Sequence, residues 1–159
     1  SKDEKVIEHA KAAAAADLDP RATAIAMERY VYEAMQNKNF ATGLATASDV
    51  ARSLEGDCTE HAVLLAAMLR VRGIPSRVAV GIVYAEGHSA FGGHMWTEAF
   101  VDGRWTPFDA TLGLGRVGGG HIKVADSALD EEAPTPVAAF LPLIHLLGQM
   151  TIEVVPDAS

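Results

Sequence analysis

Residues 56–77 read GDCTEHAVLLAAMLRVRGIPSR and predict the central helix of the molecule. Asp57 followed three residues later by Glu60 is a capping-box pattern, in which both carboxylates accept backbone N–H groups at a helix start. A glycine and then a proline follow the last apolar residues and end the helix. We therefore expect a helix from Cys58 to Arg72. Because apolar residues surround most of it, this helix should be buried.

The sequence upstream predicts three more helices. An alanine-rich segment over residues 2–16 suits an exposed helix, and Asp19 followed by Pro20 marks the start of a second. Ser48 is a candidate cap for a short third helix over residues 49–54. The second helix carries an apolar stripe at three-and-four spacing, which indicates packing against the core.

Downstream the apolar period changes to two, which predicts β-strands. Strands are expected over residues 78–84, 94–101 and 104–109. The last two are joined by Asp102-Gly103, a strong signal for a two-residue hairpin turn. A further strand is expected at residues 121–124, after a glycine-rich loop. This half of the chain therefore predicts an antiparallel sheet.

Length and composition indicate one domain. The chain has 159 residues, of which 49% are hydrophobic, enough for one core. We divide it into N-terminal helices (2–55), a core (56–125) and a C-terminal helix and strand (134–156). Since it opens without an initiator methionine or a signal sequence, we expect residues 1–159 to be a segment excised from a longer protein. The sequence does not identify the cellular compartment.

Charge and cysteine content exclude several classes of function. A net charge of -8 argues against nucleic acid as a partner, since phosphate backbones require basic patches. The longest apolar run, residues 137–148, is about half the ~20 residues of a membrane-spanning helix. With Cys58 as the only cysteine, neither an intramolecular disulfide nor a four-cysteine zinc site can form.

Cys58 is expected at the first position of the central helix. There it faces unpaired backbone N–H groups and the positive end of the helix dipole, and both favour a thiolate. The thiolate is the nucleophilic form of cysteine, and the same N–H groups can receive an oxyanion. The alternative is a buried structural cysteine, which is common. Position alone leaves both interpretations open.

The hairpin register brings a histidine and an aspartate together. A turn at Asp102-Gly103 places Trp96 opposite Asp109, so that His94 and Asp109 become diagonal neighbours on one face of the sheet. Pro107 removes one ladder N–H and could shift this register by one residue. The pairing predicts an imidazole-carboxylate contact.

The same face carries Trp96, Phe100 and Trp105, so we expect it to be the buried face that looks toward the helix of Cys58. A cysteine at a helix start, a histidine and an aspartate then have the roles of nucleophile, base and orienting group in acyl transfer. The alternative is that His94 is a satisfied sheet histidine and Asp109 a turn residue. The agreement of three placements favours catalysis.

These residues resemble the successive blocks of the transglutaminase-like superfamily over roughly residues 25–115. The blocks are Gly56-Asp57-Cys58, Leu69-Arg70, Gly73-Ile74-Pro75-Ser76-Arg77, His94-Met95-Trp96, Trp105 and Phe108-Asp109-Ala110-Thr111. The resemblance implies a papain-like α+β fold, in which a central helix starting at the nucleophilic Cys58 packs on an antiparallel sheet carrying His94 and Asp109. It transfers the catalytic roles to those three residues.

The resemblance also implies a class of reaction. Bacterial members of the superfamily include thiol proteases and amidases as well as acyltransferases, so we expect a peptide or protein substrate and hydrolysis of a peptide or glutamine-type amide bond. Two alternatives stay open: a catalytically silent binding or scaffolding module of the same fold, and an acyltransferase that cross-links proteins. The calcium-binding acidic clusters of animal transglutaminases have no counterpart here, so no metal or other cofactor is expected.

Departures from the family pattern affect the substrate and oxyanion sites. Family members often have an aromatic residue or arginine after the cysteine, where this chain has Thr59, which bears on substrate choice. An upstream side chain commonly completes the oxyanion hole, and Tyr30, Tyr32 and Gln36 are candidates. The substrate-binding and oxyanion residues predicted here are Thr59, Trp96 and Gln36.

A zinc site is the remaining alternative for the histidines. Cys58 and His61 lie on one helical face, and His88 and His94 could complete a ligand set. Structural zinc sites prefer more than one cysteine, so we expect no metal and assign His61 to tuning or gating the thiol.

Overall fold

The structure, a computed structural model, describes residues 2–37, 45–85, 87, 89–115, 117–129, 138–146 and 148–153. Its helices are α1 (Glu4–Ala13), α2 (Pro20–Ala34), α3 (Ala47–Ser53), α4 (Cys58–Val71) and α5 (Leu141–Leu146), the last preceded by a short 3-10 helix at Ala138–Phe140. Its strands are β1 (Ser76–Ala85), β2 (Ala90–Val101), β3 (Arg104–Phe108) and β4 (His121–Ser127). They form one antiparallel sheet in the order β3-β2-β1-β4. The predicted α+β fold is confirmed.

The helix starts follow from local capping. α4 begins at Cys58 as predicted, with both halves of the Asp57/Glu60 capping box formed. Asp19 caps α2, and Pro20 is its first residue. The predicted cap of α3 was wrong, because Thr46 forms the capping box with Asp49.

The hairpin register is confirmed. Asp102 and Gly103 have φ angles of 53° and 74°, both in the left-handed region that a two-residue hairpin turn requires. Strand pairing runs without a shift from Val101 opposite Arg104 to Thr97 opposite Phe108. Pro107 therefore introduces no bulge, and Asp109 follows directly after β3.

The prediction that the aromatic face of the sheet looks toward α4 was wrong, although His94 and Trp96 on that face are buried. Helix α4 packs on the face that carries Met95 and Thr97, and the Thr97 hydroxyl donates to the Ala62 carbonyl at 2.9 Å. On the other face, the side chains of Phe100 and Trp105 remain 42% and 39% exposed. Small and β-branched side chains let a helix approach a sheet closely, so aromatic content did not decide the packing face.

The core surrounds α4. One side of this helix packs with α1, α2 and α3, and the other side packs on the sheet, with Val78, Val80 and Met95 fully buried. The contacts of α4 with the sheet fix the position of its first turn relative to β2. Elsewhere in the sheet, the β1–β4 pairing contains a register shift between Val80 and Gly81.

The C-terminal segment departs from the sequence prediction. The predicted helix is present as α5, but residues 150–153 lie in neither a helix nor a strand. The rest of the C-terminal strand expected within residues 134–156, and residues 130–137 before the 3-10 helix, lie outside the described residues. In the ranges that the structure describes, no helix has both the length and the apolar character needed to cross a membrane.

Candidate active site

Cys58 occupies the first position of α4 and is partly exposed. Its neighbours complete the cap, since Thr59 N–H donates to Asp57 Oδ1 at 2.9 Å and Asp57 N–H donates to Glu60 Oε2 at 3.0 Å. Burial raises the pKa of Glu60 to about 7, so its carboxyl carries little negative charge below neutral pH. The Asp57 side chain thus takes the N–H groups of Thr59 and Glu60, and the backbone N–H of Cys58 is the first-turn donor that remains beside the thiol.

His94 lies between the thiol and a carboxylate. Its Nε2 is 2.7 Å from Asp109 Oδ2, and the interaction of its ring with the Cys58 thiol contributes to the raised pKa of His94. Since Nε2 faces Asp109, Nδ1 is the nitrogen left for the sulfur. Both His94 and Asp109 are buried, with 6% and 1% of their surface exposed.

Cys58 and His94 meet at the N-terminal end of α4, beyond the part of the helix that packs on the sheet. His94 shares the sheet face of Trp96, opposite the face on which α4 packs. Side chains in a helix tilt toward its N-terminus, so the side chain of residue 58 extends beyond the part of α4 that contacts the sheet. The structure therefore brings Cys58, His94 and Asp109 together, although the predicted orientation of the sheet face was wrong.

Hydrogen bonds saturate the Asp109 carboxylate. Oδ2 accepts from His94 Nε2 at 2.7 Å and from His121 Nε2 at 2.9 Å. Oδ1 accepts from the backbone N–H groups of Thr111 at 3.0 Å and Leu112 at 3.4 Å. Burial by itself would raise the pKa of Asp109, but the bonds from His121 and His94 hold it well below its usual range.

The surroundings of His94 favour its protonated form. Burial opposes the charge of an imidazolium, but the hydrogen bonds to Asp109 and Cys58 outweigh it and raise the pKa of His94 to about 9. Protonated His94 can therefore act as an acid at neutral pH, directly beside the Cys58 sulfur.

The sequence prediction missed two residues of the site, His121 and Glu28. His121 opens β4 and binds Asp109 directly. Glu28 projects from α2, and its Oε1 accepts the backbone N–H of Asp109 at 3.0 Å. Burial raises the pKa of Glu28. Glu28 follows Met27 in the apolar stripe of α2, and a charged residue at that place was a signal that could have identified it. The sequence of β4 gives no comparable local signal for His121.

The predicted substrate and oxyanion residues have different surroundings. The Trp96 ring stacks on His94, with centroids 6.2 Å apart, and forms a wall of the site. The backbone N–H of Thr59 is occupied by the cap, and the Gln36 side-chain amide donates to the Tyr32 carbonyl at 2.7 Å. Tyr30 OH is 2.8 Å from His9 Nδ1. No described contact of Gln36 reaches Cys58, and its oxyanion role stays a prediction.

The site also contains one possible metal-ligand group. His94, Asp109 and His121 each offer one ligand atom, and these atoms lie within 4.8 Å of one another. Ligand atoms around a four-coordinate zinc ion lie roughly 3.3 Å apart, given metal–ligand distances of about 2.0–2.2 Å. The contacts of 2.7 and 2.9 Å are instead hydrogen-bond distances. Within the described residues, Cys58 and His61 do not join this group, and His88 lies outside those residues.

Solved structures with the same fold include two proteins named as candidate proteases and one named as a TGase. The candidate cysteine protease from Cytophaga hutchinsonii has a TM-score of 0.64 and 22% identity, and the match covers 80% of this chain and 43% of that one. The TGase has a TM-score of 0.55 and 20% identity, with 74% and 32% of the two chains covered. The candidate protease from Parabacteroides distasonis has a TM-score of 0.53 and 22% identity, with 69% and 24% covered.

This chain thus spans less than half the length of each of those three structures. The comparison with curated proteins finds no match. The family model of the transglutaminase-like superfamily core matches residues 8–110, which include Cys58, His94 and Asp109. The chain therefore belongs to the transglutaminase-like superfamily.

Proposed function

We propose that this chain is a thiol-dependent amide hydrolase that acts on peptide or glutamine-type amide bonds of a peptide or protein. Cys58 is the nucleophile, His94 the acid and base, and Asp109 the group that orients His94. The observation that carries this proposal is the position of His94, which bonds Asp109 at 2.7 Å and whose pKa is raised by both Asp109 and the neighbouring Cys58 thiol.

The first half of the reaction forms a thioester. The Cys58 thiolate bonds to the carbonyl carbon, and the charge that develops on the oxygen faces the backbone N–H of Cys58, since the Asp57 cap takes the N–H groups of Thr59 and Glu60. The carbon–nitrogen bond then breaks, and protonated His94 gives its proton to the departing amine.

The second half consumes water. Neutral His94 takes a proton from a water molecule, whose oxygen bonds to the thioester carbon. The carbon–sulfur bond then breaks, which releases the carboxylic acid and returns Cys58 as thiolate beside protonated His94. Water as the acceptor rests on analogy with bacterial members of the superfamily, and a second amine would give transamidation by the same steps.

The pH dependence of Cys58 alkylation by iodoacetamide tests the Cys58–His94 pair. Because the pKa of His94 is raised to about 9, a positive charge should face the sulfur at every pH below that value. We expect rapid labelling at pH 6–7 that changes little up to pH 9, whereas an unperturbed thiol gains reactivity up to its pKa of ~8.5.

His94→Ala should remove this behaviour and restore an ordinary thiol profile. His145→Ala is the matched control, since His145 is an exposed histidine on α5 whose Nδ1 bonds the Leu141 carbonyl. Slow labelling that follows an ordinary thiol and is identical in wild type and His94→Ala would favour the alternative of a binding or scaffolding module.

The acceptor of the acyl group is tested separately. Incubation with glutamine-containing and general peptides should release amine or ammonia without any added amine, because water resolves the thioester. A labelled primary amine, supplied together with a protein acceptor, should be incorporated at a lower rate than hydrolysis. Strict dependence of release on the added amine would assign the chain as a cross-linking acyltransferase.

A further inference from the structure

One oxygen of the Asp109 carboxylate accepts hydrogen bonds from two histidines. His94 Nε2 and His121 Nε2 lie 2.7 and 2.9 Å from the same atom, Oδ2. A triad needs only the first of these contacts. An ionised carboxylate can only accept hydrogen bonds, so both Nε2 atoms donate. His121 thus supplies the second donor that keeps Oδ2 charged and in place.

The hydrogen bonds to the other oxygen, Oδ1, do not by themselves fix the orientation of the Asp109 carboxylate. Oδ1 is bonded at 3.0 Å by Thr111 N–H and at the longer distance of 3.4 Å by Leu112 N–H, both in the turn that follows β3. Those bonds anchor one end of the carboxylate to its own turn. The contact from His121 ties the other end to β4, across the sheet from β3.

Aromatic packing holds the His121 ring. Trp96 meets it edge-on, with centroids 5.2 Å apart and an interplanar angle of 90°. The same Trp96 stacks on His94, at 6.2 Å and 27°. The rings of His94 and His121 also meet directly, with centroids 5.7 Å apart. Both imidazoles are therefore oriented by one indole and one carboxylate oxygen.

We propose that His121 is a positioning residue of this site, which holds Asp109 Oδ2 in the orientation that keeps His94 against Cys58. This proposal rests on the proposed thiol chemistry. His121 acts through Asp109, whereas Cys58 and His94 would carry out the bond changes. The site would then be a linear array of Cys58, His94, Asp109 and His121.

A pair of substitutions separates the hydrogen bond from simple packing. The amide nitrogen of His121→Gln can occupy the place of Nε2, so it retains a donor toward Oδ2. The shorter His121→Asn places its amide near Nδ1 and loses that donor. Both variants are polar and both lack the ring, so they differ chiefly in the contact that the proposal requires.

The readout is the protonation of His94, followed by NMR of the imidazole nitrogens across pH. In wild type the midpoint should lie near the raised pKa of about 9. His121→Asn should lower it by about one unit or more, because a displaced carboxylate no longer favours the imidazolium. His121→Gln should stay within a few tenths of wild type. His145→Ala removes an exposed histidine and should leave the His94 signal unchanged.

An unchanged His94 midpoint in His121→Asn would overturn the proposal, as would equal losses in the asparagine and glutamine variants. Circular dichroism verifies that both variants fold; should neither do so, His121→Ala refolded in the presence of imidazole must recover the wild-type His94 midpoint, or the proposal fails. Slow iodoacetamide labelling of wild-type Cys58 would contradict the proposed function separately, since the His94 titration does not depend on turnover.

Discussion

Cys58→Ala is expected to abolish amide turnover, with a loss of at least ~10³-fold in kcat, because the proposed reaction passes through a bond to sulfur and members of a triad act as a unit. Cys58 is the only cysteine of the chain, so no second thiol can substitute for it. His94→Ala should approach the same loss. Asp109→Asn should be milder, because it removes charge but keeps a carbonyl oxygen as an acceptor.

The measurement is the rate of amine release from a peptide that the wild-type protein hydrolyses, together with thermal melts of every variant. Cys58 is partly exposed at the first position of α4, where alanine is well tolerated, so the melting temperature of Cys58→Ala should stay close to wild type. His145→Ala again controls for the loss of a histidine. Near-equal turnover of wild type and a folded Cys58→Ala would end the proposal of thiol catalysis.

The positions of Cys58, His94 and Asp109 could be predicted because they depend on local signals. The capping box at Asp57 fixes Cys58 at a helix start, and the Asp102-Gly103 turn fixes the β2–β3 register within two residues of the turn. Register propagates along a ladder by arithmetic, so His94 and Asp109 follow from the turn. Short-range chemistry thus determined the residues that the structure brings together.

Tertiary packing decided what the sequence did not reveal. Phe100 and Trp105 alternate correctly along their strands, but alternation separates two faces without saying which one a helix covers. The Thr97 hydroxyl donates to the Ala62 carbonyl of α4, a contact that aromatic content does not predict. His121 is brought to Asp109 by the pairing of β4 with β1, a long-range contact for which a single sequence contains no local signal.

Among the glycines in the strands of the sheet, Gly81 is the one whose replacement by alanine is expected to cost the most stability. A Cβ at Gly81 would lie 2.0 Å from the carbonyl oxygen of Ile122 and 3.0 Å from the Cα of Lys123, so the backbone of β4 would have to move. Overpacking of this kind costs about 1–3 kcal/mol in the free energy of unfolding, and here the obstacle is backbone rather than a flexible side chain. Gly81 lies at the register shift between β1 and β4, where glycine permits the close approach.

The same substitution should also affect the site, because Ile122 directly follows His121. Displacement of β4 would draw His121 Nε2 away from Asp109 Oδ2, and Gly81→Ala should therefore lower the NMR midpoint of His94 as well as the midpoint of urea denaturation. Gly92→Ala is the matched control in the neighbouring strand, since a Cβ there meets no atom within 4 Å. It should be neutral or slightly stabilising, by up to about 1 kcal/mol. Equal denaturation midpoints for Gly81→Ala and wild type would show that β4 can shift without cost, which would contradict a rigid link from β1 through β4 to Asp109.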